Sequence, residues 1–187
     1  VAAVHAHVGR DVTIGIHCHD DTGCAVANSM AAVFAGAGHV QGTLNGLGER
    51  TGNANLTAII PNLQLKLGYT CLPDGRIERL TAVSHHVAEL LNRAVNPQAP
   101  YVGSSAFAHK AGLHTSAIAR VKDAYEHVDP NLVGNGTRFV VSEMAGRATI
   151  TMKAAELGLA MDGPAVTTVI DDLKRLEHEG YHFEAAD

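Results

Sequence analysis

The run Gly15-Ile-His-Cys-His-Asp-Asp-Thr-Gly23 sets two imidazoles two residues apart at the end of a β-branched, apolar stretch. Successive side chains of a strand alternate faces, so His17 and His19 point one way and Cys18 the other. Two neutral imidazoles fixed on one face make a claw for a divalent transition metal, with coordination positions left open for substrate. Two polar residues ending a strand near solvent would have the same spacing. Cys18, turned toward the covering helices, reads as an inert buried thiol. Asp20 and Asp21 follow at once, and their short carboxylates suit the N-terminus of the next helix, while Asp20 is also placed to orient a metal-bound imidazole.

A second constellation is the Gly-rich turn Asn45-Gly-Leu-Gly-Glu-Arg-Thr-Gly-Asn53. It is not a dinucleotide fingerprint, because three residues rather than two separate Gly48 from Gly52. Its glycines allow close backbone approach, and Asn53 offers either a neutral oxygen ligand or a helix N-cap. His109 and His114 are five residues apart, which on one helix sets them about 140° apart and off a common ligand face. His114, at a helix beginning, is a candidate general acid or base, the alternative being a cap or surface residue. His5, His7, His85, His86, His127, His178 and His182 carry no spacing argument and read as solvated surface.

The elements that must hold these groups follow from the apolar pattern. Residues 1–9 read as the end of a helix closed by Gly9. Val12 to His19 is too short and too β-branched for a helix and reads as a buried strand. A helix capped by Asp21 or Thr22 follows, with Val26, Met30, Val33, Phe34 and Ala37 at helical spacing and Gly36 and Gly38 at its end. A second strand spans about His39 to Asn45, and a further helix turns Leu56, Ile59, Ile60, Leu63 and Leu67 inward before Gly68. Such alternation implies parallel strands beneath helices. After Pro73-Asp-Gly75 a long amphipathic helix carries Ile77, Leu80, Val83, Val87, Leu90, Leu91 and Val95 on one stripe, until Asn96-Pro97 stops it. The loop 96–103 reads as a boundary. Ala106 to His114 opens a shorter helix, Arg138 to Ser142 reads as a brief extended piece, and a last helix runs from about Pro164 to Gly180.

Composition bounds the function. With 187 residues, 46% of them apolar, the chain can bury a core. Fourteen Lys and Arg against 19 Asp and Glu give a net charge of −5 with no basic run, which argues against nucleic acid as a partner. Three cysteines, Cys18, Cys24 and Cys71, without a CxxC pair suit a reducing compartment, so the cytoplasm is expected. No stretch approaches the roughly 20 apolar residues of a membrane span, and no membrane partner is expected.

The two motifs around His17 and Asn53 together resemble the metal-dependent acyl-CoA condensing enzymes: the isopropylmalate, homocitrate and citramalate synthases, with hydroxymethylglutaryl-CoA lyase as a more distant relative. The resemblance continues through Phe107-Ala-His-Lys-Ala-Gly-Leu-His114, Tyr125-Glu-His-Val-Asp-Pro130, Val141-Ser-Glu-Met-Ala-Gly146 and Glu177-His-Glu-Gly-Tyr-His-Phe-Glu184, and thus covers nearly the whole chain. The Tyr125 run and the closing segment are most similar to the citramalate synthase branch. The resemblance implies His17, His19 and Asn53 as ligands of a divalent cation (Mg, Mn, Zn or Co), with His114 as an acid or base and Tyr125 beside it. Glu49 and Arg50 are expected to shape the loop below the metal. It further implies acetyl-CoA and a 2-oxo acid as substrates, pyruvate being the expected acceptor, in branched-chain amino-acid biosynthesis. Use of 2-oxoisovalerate or 2-oxoglutarate would make the activity a 2-isopropylmalate or homocitrate synthase.

The family's Arg-Asp strand and its catalytic Glu have no match in this sequence, and a complete barrel takes about 250 residues. The expected fold is therefore α/β: the last two β/α units of a (β/α)8 TIM barrel followed by a mostly helical subdomain region. Residues 1–95 would be the C-terminal part of the barrel with its following helix, and residues 96–187 helical linker subdomains leading towards a regulatory domain. Such a piece is expected to be inactive alone, and its exposed strand edges to favour aggregation or pairing. A homodimer is expected for the full-length protein. The reading of another class is a non-catalytic metal-binding or interaction module that kept the fold.

Overall fold

A computed structural model describes residues 1–109, 112–121, 124–139 and 146–181. Lys110 and Ala111, the stretch 140–145 within two of the motifs above, and His182 onward lie outside the described residues. The chain divides into two compact units, Val1–Ala106 with Asn131–Asn135, and Phe107–Pro130 with Gly136–Asp187. The loop 96–103 lies within the first unit.

In the first unit α1 (Ala2–Val8) is closed by Gly9, whose positive φ of 87° lets its N–H return to His5 O. Strand β1 (Gly15–His17) pairs in parallel with β2 (His39–Gln41), Ile16 opposite Val40 and His17 opposite Gln41. Parallel strands need a crossover, and α2 (Ala25–Phe34) provides it. Both strands are shorter than the apolar runs suggest. Beyond Gln41 the backbone turns to new partners: Thr43 N–H bonds Ala54 O, and Leu56 N–H bonds Thr43 O. Gly42 permits this approach, since a Cβ there would strike the Ala54 carbonyl.

Ala25, Ala54, Ile59 and Leu63 form the core under this sheet, joined by Val26, Met30, Val33, Val40, Leu56 and Cys18. Cys18 thus faces the helices, as strand alternation requires. Helix α3 (Leu56–Pro61) starts at Asn55, whose Oδ1 accepts the Thr57 N–H at 3.0 Å. Pro61 supplies no N–H, and the helix continues as a π-helical turn over Asn62–Lys66. Helix α4 (Leu80–Leu90), entered through the 3₁₀ turn Ile77–Arg79, ends earlier than its apolar stripe. Asn92 takes a left-handed φ of 50° and Arg93 N–H closes onto Ala88 O, so the run to Val95 is not helical. Its buried face is Ile77, Leu80, Ser84 and Ala88, while Leu90 and Leu91 are exposed.

The second unit corrects the reading of 106–114 as one helix. Ala108–His109 forms strand β3, paired in parallel with β4 (Arg138–Phe139), and helix α5 spans Gly112–Arg120. Helices α6 (Arg147–Glu156) and α7 (Gly163–His178) pack through Ile150 and Val166, with Met161, Val169, Ile170 and Leu173 around them. Asp162 caps α7 by accepting the Ala165 N–H at 2.8 Å, and Pro164 sits in the first turn, where its missing N–H costs nothing. Among the described residues no helix is long and apolar enough to cross a membrane.

Candidate functional site

The histidine claw forms in the first unit. His17 ends β1, and His19 pairs with Asn53 across an isolated antiparallel bridge. Two backbone bonds frame that bridge, Asp20 N–H to Gly52 O and Ala54 N–H to Cys18 O, each 2.9 Å. The rings of His17 and His19 stand edge to face at 5.1 Å, with their Nε2 atoms 3.4 Å apart. Zinc–imidazole bonds of about 2.0–2.1 Å set two nitrogens on a tetrahedral ion about 3.4 Å apart, so the spacing fits a shared cation.

Asn53 completes the picture. Its Nδ2 donates to Leu47 O at 3.0 Å, which fixes the amide so that Oδ1 is the free end. That Oδ1 is buried and has no hydrogen-bond partner. A stranded carbonyl oxygen costs about 1–3 kcal/mol, which a cation beside His19 would offset. The helix-cap alternative for Asn53 is not realised, because Asn55 caps α3. The donor set is two neutral nitrogens and one neutral oxygen, and it suits a divalent cation. Among the described residues no group of three or more His, Cys, Asp or Glu could hold a metal ion.

The loops on either side are tied together by other groups. Asp20 Oδ1 accepts the Ala25 N–H at 2.8 Å, so it is Asp20, and neither Asp21 nor Thr22, that serves the N-terminus of α2. Asp21 instead receives Arg50 in a bidentate pair at 2.7 and 2.9 Å. The Arg50 hydrogen bonds hold the Asp21 carboxyl below its usual range and push the Arg50 guanidinium up. Both groups are exposed, and the pair positions the loop more than it stabilises the fold. Glu49 points to solvent. Asn45, itself at φ 59°, donates to Ser84 O at 2.8 Å and accepts the Ser84 hydroxyl, which anchors the Gly-rich turn to α4.

Gly52 is the strictest position of the turn. Its φ is +99°, and a Cβ there would collide with the Gly46 carbonyl, which itself accepts the Asn53 N–H. Gly52→Ala is therefore expected to weaken metal binding about 10–100-fold by displacing Asn53. Titration with Mn²⁺ by calorimetry reads this. Gly23→Ala, at φ +72° with open space around it, is the control that carries the backbone cost without the collision.

The second unit holds the other predicted pair. His114, in the first turn of α5, stacks on Tyr125 with ring centroids 4.0 Å apart. His109 lies on β3 and meets His114 edge-on at 6.1 Å, so the two are neighbours after all. The helical-wheel separation fails because His109 belongs to strand β3 and His114 to helix α5. His109 faces the buried Glu126, Nε2 to Oε1 3.7 Å, with side-chain exposures of 10% and 2%. Sequence spacing gives no sign of Glu126, since its partners come from other segments. Of the histidines read as surface, His5 is half-buried and bonds Gly36 O, His85 bonds Val102 O and His127 stacks on Phe107.

Residues 1–87 match the family model described as HMGL-like, and residues 101–181 match the homocitrate synthase post-HMGL domain-like model. The (R)-citramalate synthase of Aquifex aeolicus is 51% identical over 95% of this chain and 34% of its own length. That of Streptomyces coelicolor is 53% identical over 100% of this chain and 35% of its own length. A probable 2-isopropylmalate synthase of Methanopyrus kandleri is 39% identical over 91% of this chain and 34% of its own length. The chain thus spans about a third of the length of the curated relatives it matches.

Proposed function

We propose that this chain, whose residues 1–87 match the HMGL-like model and residues 101–181 the homocitrate synthase post-HMGL domain-like model, is part of a metal-dependent acyltransferase of that family. The reaction joins acetyl-CoA to a 2-oxo acid, with pyruvate as acceptor, citramalate as product and CoA released, in branched-chain amino-acid biosynthesis. The observation that carries this reading is the His17–His19 claw beside the stranded Asn53 oxygen. In fold terms β1, α2, β2 and α3 are the last two β/α units of a (β/α)8 barrel, and residues 96–187 the helical subdomains that follow.

A divalent cation held there would polarise the ketone of the 2-oxo acid. His17 and His19 bind as neutral imidazoles and Asn53 as a neutral oxygen, so the three leave the cation's charge undiminished and favourable to an anionic acceptor. Carboxylate ligands and the base that deprotonates the acetyl methyl would come from the rest of a longer polypeptide. His114 serves as an acid or base. Tyr125 covers a face of that ring and fixes its plane. Hydrolysis of the product thioester makes the condensation irreversible. The full-length protein is a homodimer in the cytoplasm.

The test is CoA-thiol release by the full-length protein from acetyl-CoA with pyruvate, 2-oxoisovalerate or 2-oxoglutarate, with and without chelator. Pyruvate is expected to be preferred, and the chelator to stop turnover until Mn²⁺ or Zn²⁺ is returned. Preference for 2-oxoisovalerate would make it a 2-isopropylmalate synthase, the reading that the Methanopyrus relative favours. Metal binding without turnover on any acceptor would make it a non-catalytic module.

A further inference from the structure

The buried pair His109–Glu126 has no part in the reading above. Glu126 Oε1 accepts the Thr137 hydroxyl, while His109 Nε2 and Glu126 Oε2 have no hydrogen-bond partner. A well-packed apolar pair of similar volume would hold the fold as well or better, without stranded polar atoms. Stability alone therefore does not account for the choice of these two residues.

Their neighbours do. Three consecutive residues each grip the segment that leads into α5: His127 stacks on Phe107 at 5.8 Å, Glu126 faces His109 at 3.7 Å, and Tyr125 stacks on His114 at 4.0 Å. The His109 ring also meets the His114 ring at 75°, edge to face. The segment is also fastened through its backbone, since Arg138 N–H bonds Phe107 O at 2.9 Å and β4 pairs with β3. Thr137, one residue before β4, holds the carboxylate of Glu126. The carboxylate fixed in this way lies against the imidazole of His109, and that imidazole lies edge-on to the next.

We propose that His109 and Glu126 are positioning residues for His114, with the buried carboxylate holding the His109 ring and the His109 and Tyr125 rings together setting the plane of the His114 imidazole. The proposal rests on the reading of His114 as the acid or base. A misplacement of about 1 Å in such a group costs about a hundredfold in rate.

Glu126→Gln keeps the side-chain volume and an oxygen for Thr137, and it is to be made in the full-length protein. The expected result is a fall in kcat of about a hundredfold with KM for both substrates and metal content within twofold of wild type. In protein labelled with ¹³Cε1-histidine, the His114 resonance, assigned by its loss in His114→Ala, is expected to move as its stacking on Tyr125 changes. Combined with His114→Ala, the Glu126→Gln change should cost nothing more. A folded Glu126→Gln protein with an unmoved His114 resonance and wild-type kcat overturns the proposal. So does a lowered melting temperature with both of those unchanged, which marks a merely structural role. Where Glu126→Gln does not fold, His109→Gln and Thr137→Val carry the same two readouts. If His114→Ala proves fully active, the acid or base reading fails, and the resonance still decides the positioning claim by itself.

Discussion

His17→Ala protein is expected to retain no stoichiometric divalent metal after gel filtration and to lose at least about a hundredfold in condensation rate, a loss larger than that of groups that only support a ligand. Wild-type and variant metal content by plasma emission, with kcat from thiol release on the full-length protein, checks it. The size of the effect follows from the donor set. The two imidazole nitrogens stand 3.4 Å apart, so removing one leaves half of the claw. His19→Ala should behave alike, with the backbone bridge to Asn53 kept. Asn53→Ala should cost less, because a water can replace a neutral oxygen. Equal metal content in wild type and His17→Ala would remove the claw from the metal site.

Much of the site was legible because it depends on short-range geometry. Alternation along one strand places His17 and His19 together and sends Cys18 to the core, and nothing beyond that strand needs to be known. That Asn53 does not cap a helix was not legible, because it turned on Asn55 two residues later taking the cap. The same competition decides between Asp20 and Asp21 at the start of α2: Asp20 accepts the Ala25 N–H, while Asp21 is paired with Arg50, 29 residues away. The 106–114 segment misled for another reason. Its alanines favour helix, but the backbone at Ala108 and His109 is drawn into a ladder with Arg138 and Phe139, a pairing 30 residues distant. Once that strand is known, His109 beside His114 and Glu126 follows directly, and without it the helical wheel separates them.

The second large effect concerns His114. His114→Ala is expected to lower kcat by about 10²–10⁴-fold, the range for a positioned acid or base, with KM for the 2-oxo acid and metal content little changed. The split matters because His114 lies in the second compact unit and the His17–His19–Asn53 donors lie in the first. A residue that served binding or metal retention would move KM or metal content instead. Tyr125 separates two roles within the same pair. Tyr125→Phe keeps the 4.0 Å stack and removes only the hydroxyl, whereas Tyr125→Leu removes the aromatic face. If the tyrosine works by fixing the imidazole plane, the phenylalanine variant stays within about threefold of wild type and the leucine variant approaches the loss caused by misplacing His114, about a hundredfold. If instead its hydroxyl handles a proton, the two variants fall together. Tyr125 is exposed, so neither substitution opens a cavity in the core, and the comparison reads chemistry rather than folding.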